Sequence, residues 1–213
     1  MLMKKKSDTP LQAKESNTTT KGFERASAIL EAARLLLAHD GYAALAMRSV
    51  AQQVGVSLST VQHYYPSRDA LIEALLEQTF ARYQAGIDER VAAAGTGPRV
   101  ELFESIIDYF LADLRDQVSS GLFFEIAALA NRHPVATKLF DTMMTRARRT
   151  LRNLIHEIDP ALSMQQCEIR GTLIVAQMLG TMLFISETRP QHKELEDLAH
   201  EATVAITRIA FGR

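Results

Sequence analysis

Breakers and cysteine are both scarce here: one cysteine, 6 prolines, 10 glycines and no tryptophan in 213 residues. The lone Cys167 excludes an intramolecular disulfide and a thiolate metal site, which suits a reducing cytoplasm. In its apolar setting it reads as an inert small hydrophobe before it reads as a redox sensor. A formal net charge of -1 gives no overall pull on a polyanion, so any contact with nucleic acid has to come from a local patch. Long apolar runs are missing too. The most apolar stretch, Gly171 to Ile185, falls short of the roughly 20 residues that span a bilayer and lies between Arg170 and Glu187, so a buried helix and no membrane partner are expected. Lys4, Lys5 and Lys6 are followed by Ser7, Asp8, Thr9 and Pro10 rather than an apolar run, which excludes a secretory signal. His133, His156, His192 and His200 form no local metal-binding pair. Nor is there a nucleophile–base pairing or a glycine-rich phosphate loop, so no enzyme activity, cofactor or metal is expected.

What is present is helix periodicity. Ala26, Ile29, Leu30, Ala33, Leu36 and Leu37 recur at three- and four-residue intervals and predict a first helix that Gly41 stops. Two short apolar clusters follow around Gly55, implying two short helices with a tight turn. Ser57 is placed to cap the second, and Ser67 to cap a longer helix from Arg68. Further stripes predict a helix through Val100–Leu114, a shorter one closed by Pro134, and one through Leu139–Ile155 ended by Asp159-Pro160. The last two are expected at 162–187 and 193–210. Ala92 to Pro98 reads as an interior loop, and no alternating β-branched run argues for a strand. The fold class expected is all-α: a three-helix head followed by a larger helical bundle. The divisions are a disordered basic arm over 1–21, a head over 22–81 and a second domain over 82–213.

The short helices cannot bury enough surface alone and must pack on the first. That makes a helix-turn-helix, whose second helix enters the major groove. Leu58 to Tyr65 suits that role: Val61 and Tyr65 face inward, while Ser59, Thr60, Gln62 and His63 point elsewhere. From Gly41 to Arg68 there is no Asp or Glu, and Arg48 and Arg68 bracket the segment where phosphates would pass.

Gly41-Tyr42, Val50-Ala51, Gly55-Val56-Ser57, Thr60-Val61 and Tyr64-Tyr65-Pro66-Ser67-Arg68 with Leu71, in that order, resemble the N-terminal module of the TetR family of repressors over roughly residues 22–80. The resemblance implies a DNA-binding head, and behind it a helical domain that binds an effector and dimerises through its last two helices. The DNA-contact candidates are Arg48, Ser57, Ser59, Thr60, Gln62, His63, Tyr64 and Arg68. Three positions depart from the family pattern: Ala46 where a capping Ser or Thr is common, Gln62 where tyrosine is frequent, and Arg68 where lysine is usual. Gln62 could read adenine by a bidentate pair, or Gln62 and His63 could be solvated polar positions.

For the effector, Phe110, Phe123, Phe124, Met143, Met144, Met178 and Met182 are candidate cavity residues, the alternative being plain core. Gly171 and Gly180 would let helices approach closely, at an interface or inside the fold. The basic arm could reach a minor groove or be only a tail. The implied function is a cytoplasmic transcription regulator, a homodimer on a double-stranded, palindromic operator, released by a small apolar or amphipathic effector. A ligand-activated or activating regulator and a helical oligomerisation module without specific DNA binding remain as alternatives.

Overall fold

The computed structural model describes residues 20–212. Among them the chain is helical, with no strand: α1 (Thr20–Ala44), α2 (Met47–Val54), α3 (Leu58–Tyr64), α4 (Arg68–Ala94), α5 (Arg99–Arg115), α6 (Gln117–Ala130), α7 (Pro134–Ile158), α8 (Met164–Ile185) and α9 (Leu198–Phe211), with one 3₁₀ turn at Lys193–Leu195. The expected all-α architecture, a helix-turn-helix head and a larger helical bundle, is what the chain adopts. Residues 1–19 of the expected basic arm lie outside the described residues, and Thr20 and Lys21 already belong to α1.

Local chemistry sets the boundaries of the head. Gly41 leaves helical geometry at φ 76° inside α1, a conformation that glycine takes without a Cβ penalty. Gly55, at φ 73°, ends α2, and the Val56 amide reaches back to the Ala51 carbonyl at 2.9 Å, the six-to-one bond of a Schellman turn. Ser57 and Ser67 cap α3 and α4, accepting the Thr60 and Ala70 amides at 3.1 Å each. Ala46 sits at the N-cap of α2 with no side-chain cap.

Two apolar clusters hold the chain. The first joins Ile29, Ala33 and Leu37 of α1 to Val50, Val61, Leu71 and Leu75, and is completed by Leu122, Ile126 and Leu139 from α6 and α7. The second joins Phe103 and Ile107 of α5 to Leu151, Ile155, Ile174, Met178 and Ile206. A division between residues 81 and 82 falls inside α4, a 27-residue helix whose first half packs into the first cluster.

Several sequence expectations are corrected. Pro134 opens α7 instead of closing α6, because at the first helical position its missing N–H has no bond to lose. Ala92 to Ala94 finish α4, so the loop starts only at Gly95. The last helix starts at Leu198, preceded by the 3₁₀ turn. The stretch Gly171 to Ile185 belongs to a 22-residue helix that by length and composition alone could cross a membrane. Nor is it wholly buried. Cys167, Ile174, Met178, Met182 and Ile185 sit in the core, whereas Ile169, Leu173, Leu183 and Phe184 are exposed.

Candidate nucleic-acid interface and effector cavity

α3 is seven residues long and is held from behind by one fully buried side chain, Val61. Tyr65, at the end of α3, donates its hydroxyl to the Ala26 carbonyl at 3.3 Å, and burial pushes its phenol above the ordinary range. These anchors leave Ser59, Gln62 and His63 exposed, and Arg48 is exposed on α2. Donor and acceptor groups on a rigid, acid-free surface are what base edges and phosphates require.

The remaining candidates are partly occupied. The Ser57 hydroxyl is the cap of α3 and lies 2.9 Å from Ser59 Oγ and 2.8 Å from Thr60 Oγ1, so three hydroxyls share one cluster. Tyr64 is half-buried against the first core and meets His63 edge-on at 5.2 Å. Arg68 is partly covered. Its guanidinium carbon lies 3.4 Å from the centre of the Tyr42 ring, and Nε and Nη2 are enclosed without a hydrogen-bond partner, so those two nitrogens are not turned to solvent.

Behind the head, α4 to α8 enclose a cavity of about 120 Å³. Five of the seven residues singled out for it, Phe110, Phe123, Met143, Met144 and Met178, come together on its wall. Met182 and Phe124 do not: Met182 is packed in the second core, and Phe124 turns toward Arg189, whose guanidinium stands 5.3 Å from its ring centre. Sequence reasoning missed Phe80, Tyr83 and Ile87, which α4 contributes, and Arg146 and Thr150 of α7. The signal for the α4 trio was present, since Leu76, Phe80, Tyr83 and Ile87 repeat at helical spacing.

The polar groups near the wall are mostly engaged. Tyr83 donates to Asp113 Oδ2 at 2.6 Å, and Asp113 also receives the Ser119 hydroxyl at 3.1 Å and pairs with Arg82 at 3.2 Å. Burial, reinforced by Asp113, raises the Tyr83 phenol far above its usual range, so it remains neutral. Burial likewise raises the Cys167 thiol, which keeps it from acting as a thiolate.

A third surface lies on α8 and α9. Leu173, Ala176, Gly180 and Phe184 line a shallow apolar groove with Leu198 and Ile209. Gly180 has nothing within 4 Å of where a Cβ would stand, whereas a Cβ on Gly171 would come 2.9 Å from the Arg148 carbonyl of α7. The two glycines thus differ in role. Gly171 serves close packing inside the fold, and Gly180 faces outward.

Residues 29–75 match the family described as bacterial regulatory proteins, tetR family. The HTH-type transcriptional repressor KstR of Mycobacterium tuberculosis is 30% identical over 129 residues, covering 58% of this chain and 58% of that protein. The HTH-type transcriptional regulator BetI of Escherichia coli is 25% identical over 156 residues, 73% of this chain and 77% of BetI. The chain thus matches only somewhat over half the length of the KstR repressor. Among solved structures, a transcriptional regulator of Rhodococcus superimposes with a TM-score of 0.71 at 20% identity, covering 88% of this chain and 96% of that one, a likeness of fold.

Proposed function

We propose that this chain, which belongs to the tetR family of bacterial regulatory proteins, is a cytoplasmic DNA-binding repressor that acts as a homodimer and is released from a palindromic operator by a small apolar or amphipathic effector. The observation that carries the reading is the exposed, acid-free face of α3. Ser59, Gln62 and His63 are exposed there, Ser59 within the hydroxyl cluster of Ser57, while Val61 is fixed behind them. Arg48, on the adjoining helix, supplies a cation for a phosphate beside the groove. The KstR relative is named a repressor, which favours repression over activation. The relatives are named as regulators, and the reading includes no catalytic role.

Dimerisation through the apolar face of α8 and α9 would set two heads about one helical turn of DNA apart, the spacing a palindrome demands. Leu173 is 53% and Phe184 57% exposed in the single chain, and a second copy would cover both. The cavity is the effector site in this reading. A ligand that binds better to a form with another head spacing draws population from the DNA-competent form, and DNA must weaken that ligand by the same factor.

Selection from random double-stranded DNA at near-physiological salt tests the reading. The wild type is expected to enrich one palindromic sequence. A Gln62→Ala, His63→Ala variant loses affinity for it by about 1 to 3 kcal/mol per contact while its helical spectrum is unchanged. Failure to enrich any sequence overturns the reading in favour of an oligomerisation module.

A further inference from the structure

Aromatic walls and a single charge set the chemistry of the cavity. Phe80, Tyr83, Phe110 and Phe123 surround it with the thioethers of Met143 and Met178, groups that pack well on a ring. Its volume of about 120 Å³ approaches that of engineered apolar cavities of roughly 150 Å³ that admit benzene. One ring is therefore the size of guest that the walls accept.

Aromatic walls by themselves would also suit a cation, so the charges around them decide between ligands. No Asp or Glu lines the cavity. The nearby carboxylate is Asp113, and it is committed to Tyr83, Ser119 and Arg82. Tyr83 spends its proton on that carboxylate and offers no donor to a guest. Gln84, also on the wall, gives its amide to Asp88 at 2.9 Å.

Arg146 is different. It is the one charged residue lining the cavity, its side chain is exposed, and its guanidinium stands 5.1 Å from the centre of the Phe80 ring. Among the described residues it makes no ion pair, whereas Arg148 and Arg152 further along α7 are both held by Glu168. A planar fork with open donors, stacked beside an aromatic wall, matches a carboxylate better than any neutral group.

We propose that the cavity receives a compact apolar molecule with one negative charge, an arylcarboxylate of a single ring, whose ring lies among Phe80, Phe110 and Phe123 and whose carboxylate is held at the opening by Arg146. The inference rests on the effector role given to the cavity above. Thr150 adds a hydroxyl on the same wall. Solvent screening at the opening limits what the charge adds, so the preference over a neutral analogue is on the order of tenfold.

Calorimetry on the full chain without DNA compares phenylacetate, 2-phenylethanol and benzyltrimethylammonium, which share one ring and differ in charge. Phenylacetate is expected to bind about tenfold tighter than the alcohol, and the ammonium ion to give no binding. Arg146→Gln should bring phenylacetate down to the level of the alcohol and leave the alcohol unchanged. Arg146→Lys should keep part of the preference, and circular dichroism of each variant checks that it is folded. Equal binding of acid and alcohol, a preference for the ammonium ion, or no binding of all three overturns the proposal. Because the heat is read without DNA, each of these results leaves the operator selection to stand or fall separately.

Discussion

The Glu125 carboxylate of α6 accepts the backbone amide of Tyr42 at 2.9 Å, at the place where Gly41 breaks α1. A Cβ on Gly41 would come 3.2 Å from that same carboxylate, so the acid occupies the side of the chain that glycine leaves bare. The Tyr42 ring meanwhile carries Arg68 on its face and meets His133 edge-on at 5.8 Å. His133 in turn stands 3.4 Å from Asp69. One ring thus ties α1, the start of α4 and the turn before α7.

Removing the acid should expose the value of this joint. Glu125→Ala leaves a partly buried amide without an acceptor and is expected to cost about 1 to 3 kcal/mol, read from the urea midpoint. Glu125→Gln keeps an acceptor and should cost less. Equal midpoints for wild type and the alanine variant would show that water replaces the acid without loss.

Glycine spacing gives a paired test. A Cβ on Gly121 would stand 2.5 Å from the Ala38 carbonyl of α1, so Gly121→Ala must push α6 away from the head, at about 1 to 3 kcal/mol. Gly180→Glu meets open space in the single chain and should leave its unfolding unchanged. It does place a charge in the apolar α8–α9 groove, and if that groove is the proposed dimer interface, sedimentation velocity should show a smaller species than the wild type gives.

The uncapped start of α2 is a place to gain stability. Ala46 already holds the extended backbone of an N-cap, φ -94° and ψ 142°, but supplies no oxygen. Ala46→Ser is expected to stabilise by about 0.5 to 2 kcal/mol, seen as a higher thermal midpoint.

Acid should weaken the N-terminus of α6. Desolvation pushes the Asp116 carboxyl up, but the Ser119 amide and hydroxyl, the Val118 amide and the Arg34 charge outweigh it, and the net shift is downward. A lowered folded value contributes stability that is present above the ordinary carboxylate range and is lost as pH falls through the folded value. Because Asp116 is exposed, the contribution is under about 1 kcal/mol. The difference in urea midpoint between wild type and Asp116→Asn should be largest near neutrality and vanish in acid; a difference that grows toward low pH would contradict this origin.

The head was largely legible because its signals are local: Gly55 for the turn, Ser57 and Ser67 for the caps, Val61 and Tyr65 four apart for the buried face. The cavity was legible in half. Phe110, Phe123 and the methionines announce an apolar interior, but which of them face a void depends on how α5 to α8 cross, and Met182 and Phe124 fell on the other side. Arg146 looks like any surface cation in a basic stretch of α7, and only its place beside Phe80 sets it apart. Arg68 is the opposite case. Its position suggests a cation for phosphate, and the ring over it lies 26 residues away in sequence, beyond what periodicity can read.

The absence of clearance between Gly121 and the Ala38 carbonyl also bears on motion. Helices that touch backbone to side-chain-free backbone cannot slide closer, and separating them would open a gap in the first core around Leu122 and Ile126. α6 and α1 are therefore expected to shift as one unit, with the Glu125–Tyr42 bond as a second tie between them. Phe123 lines the cavity from two residues beyond Gly121, so anything that displaces that ring presses on the stretch of α6 that is locked to the first helix of the head.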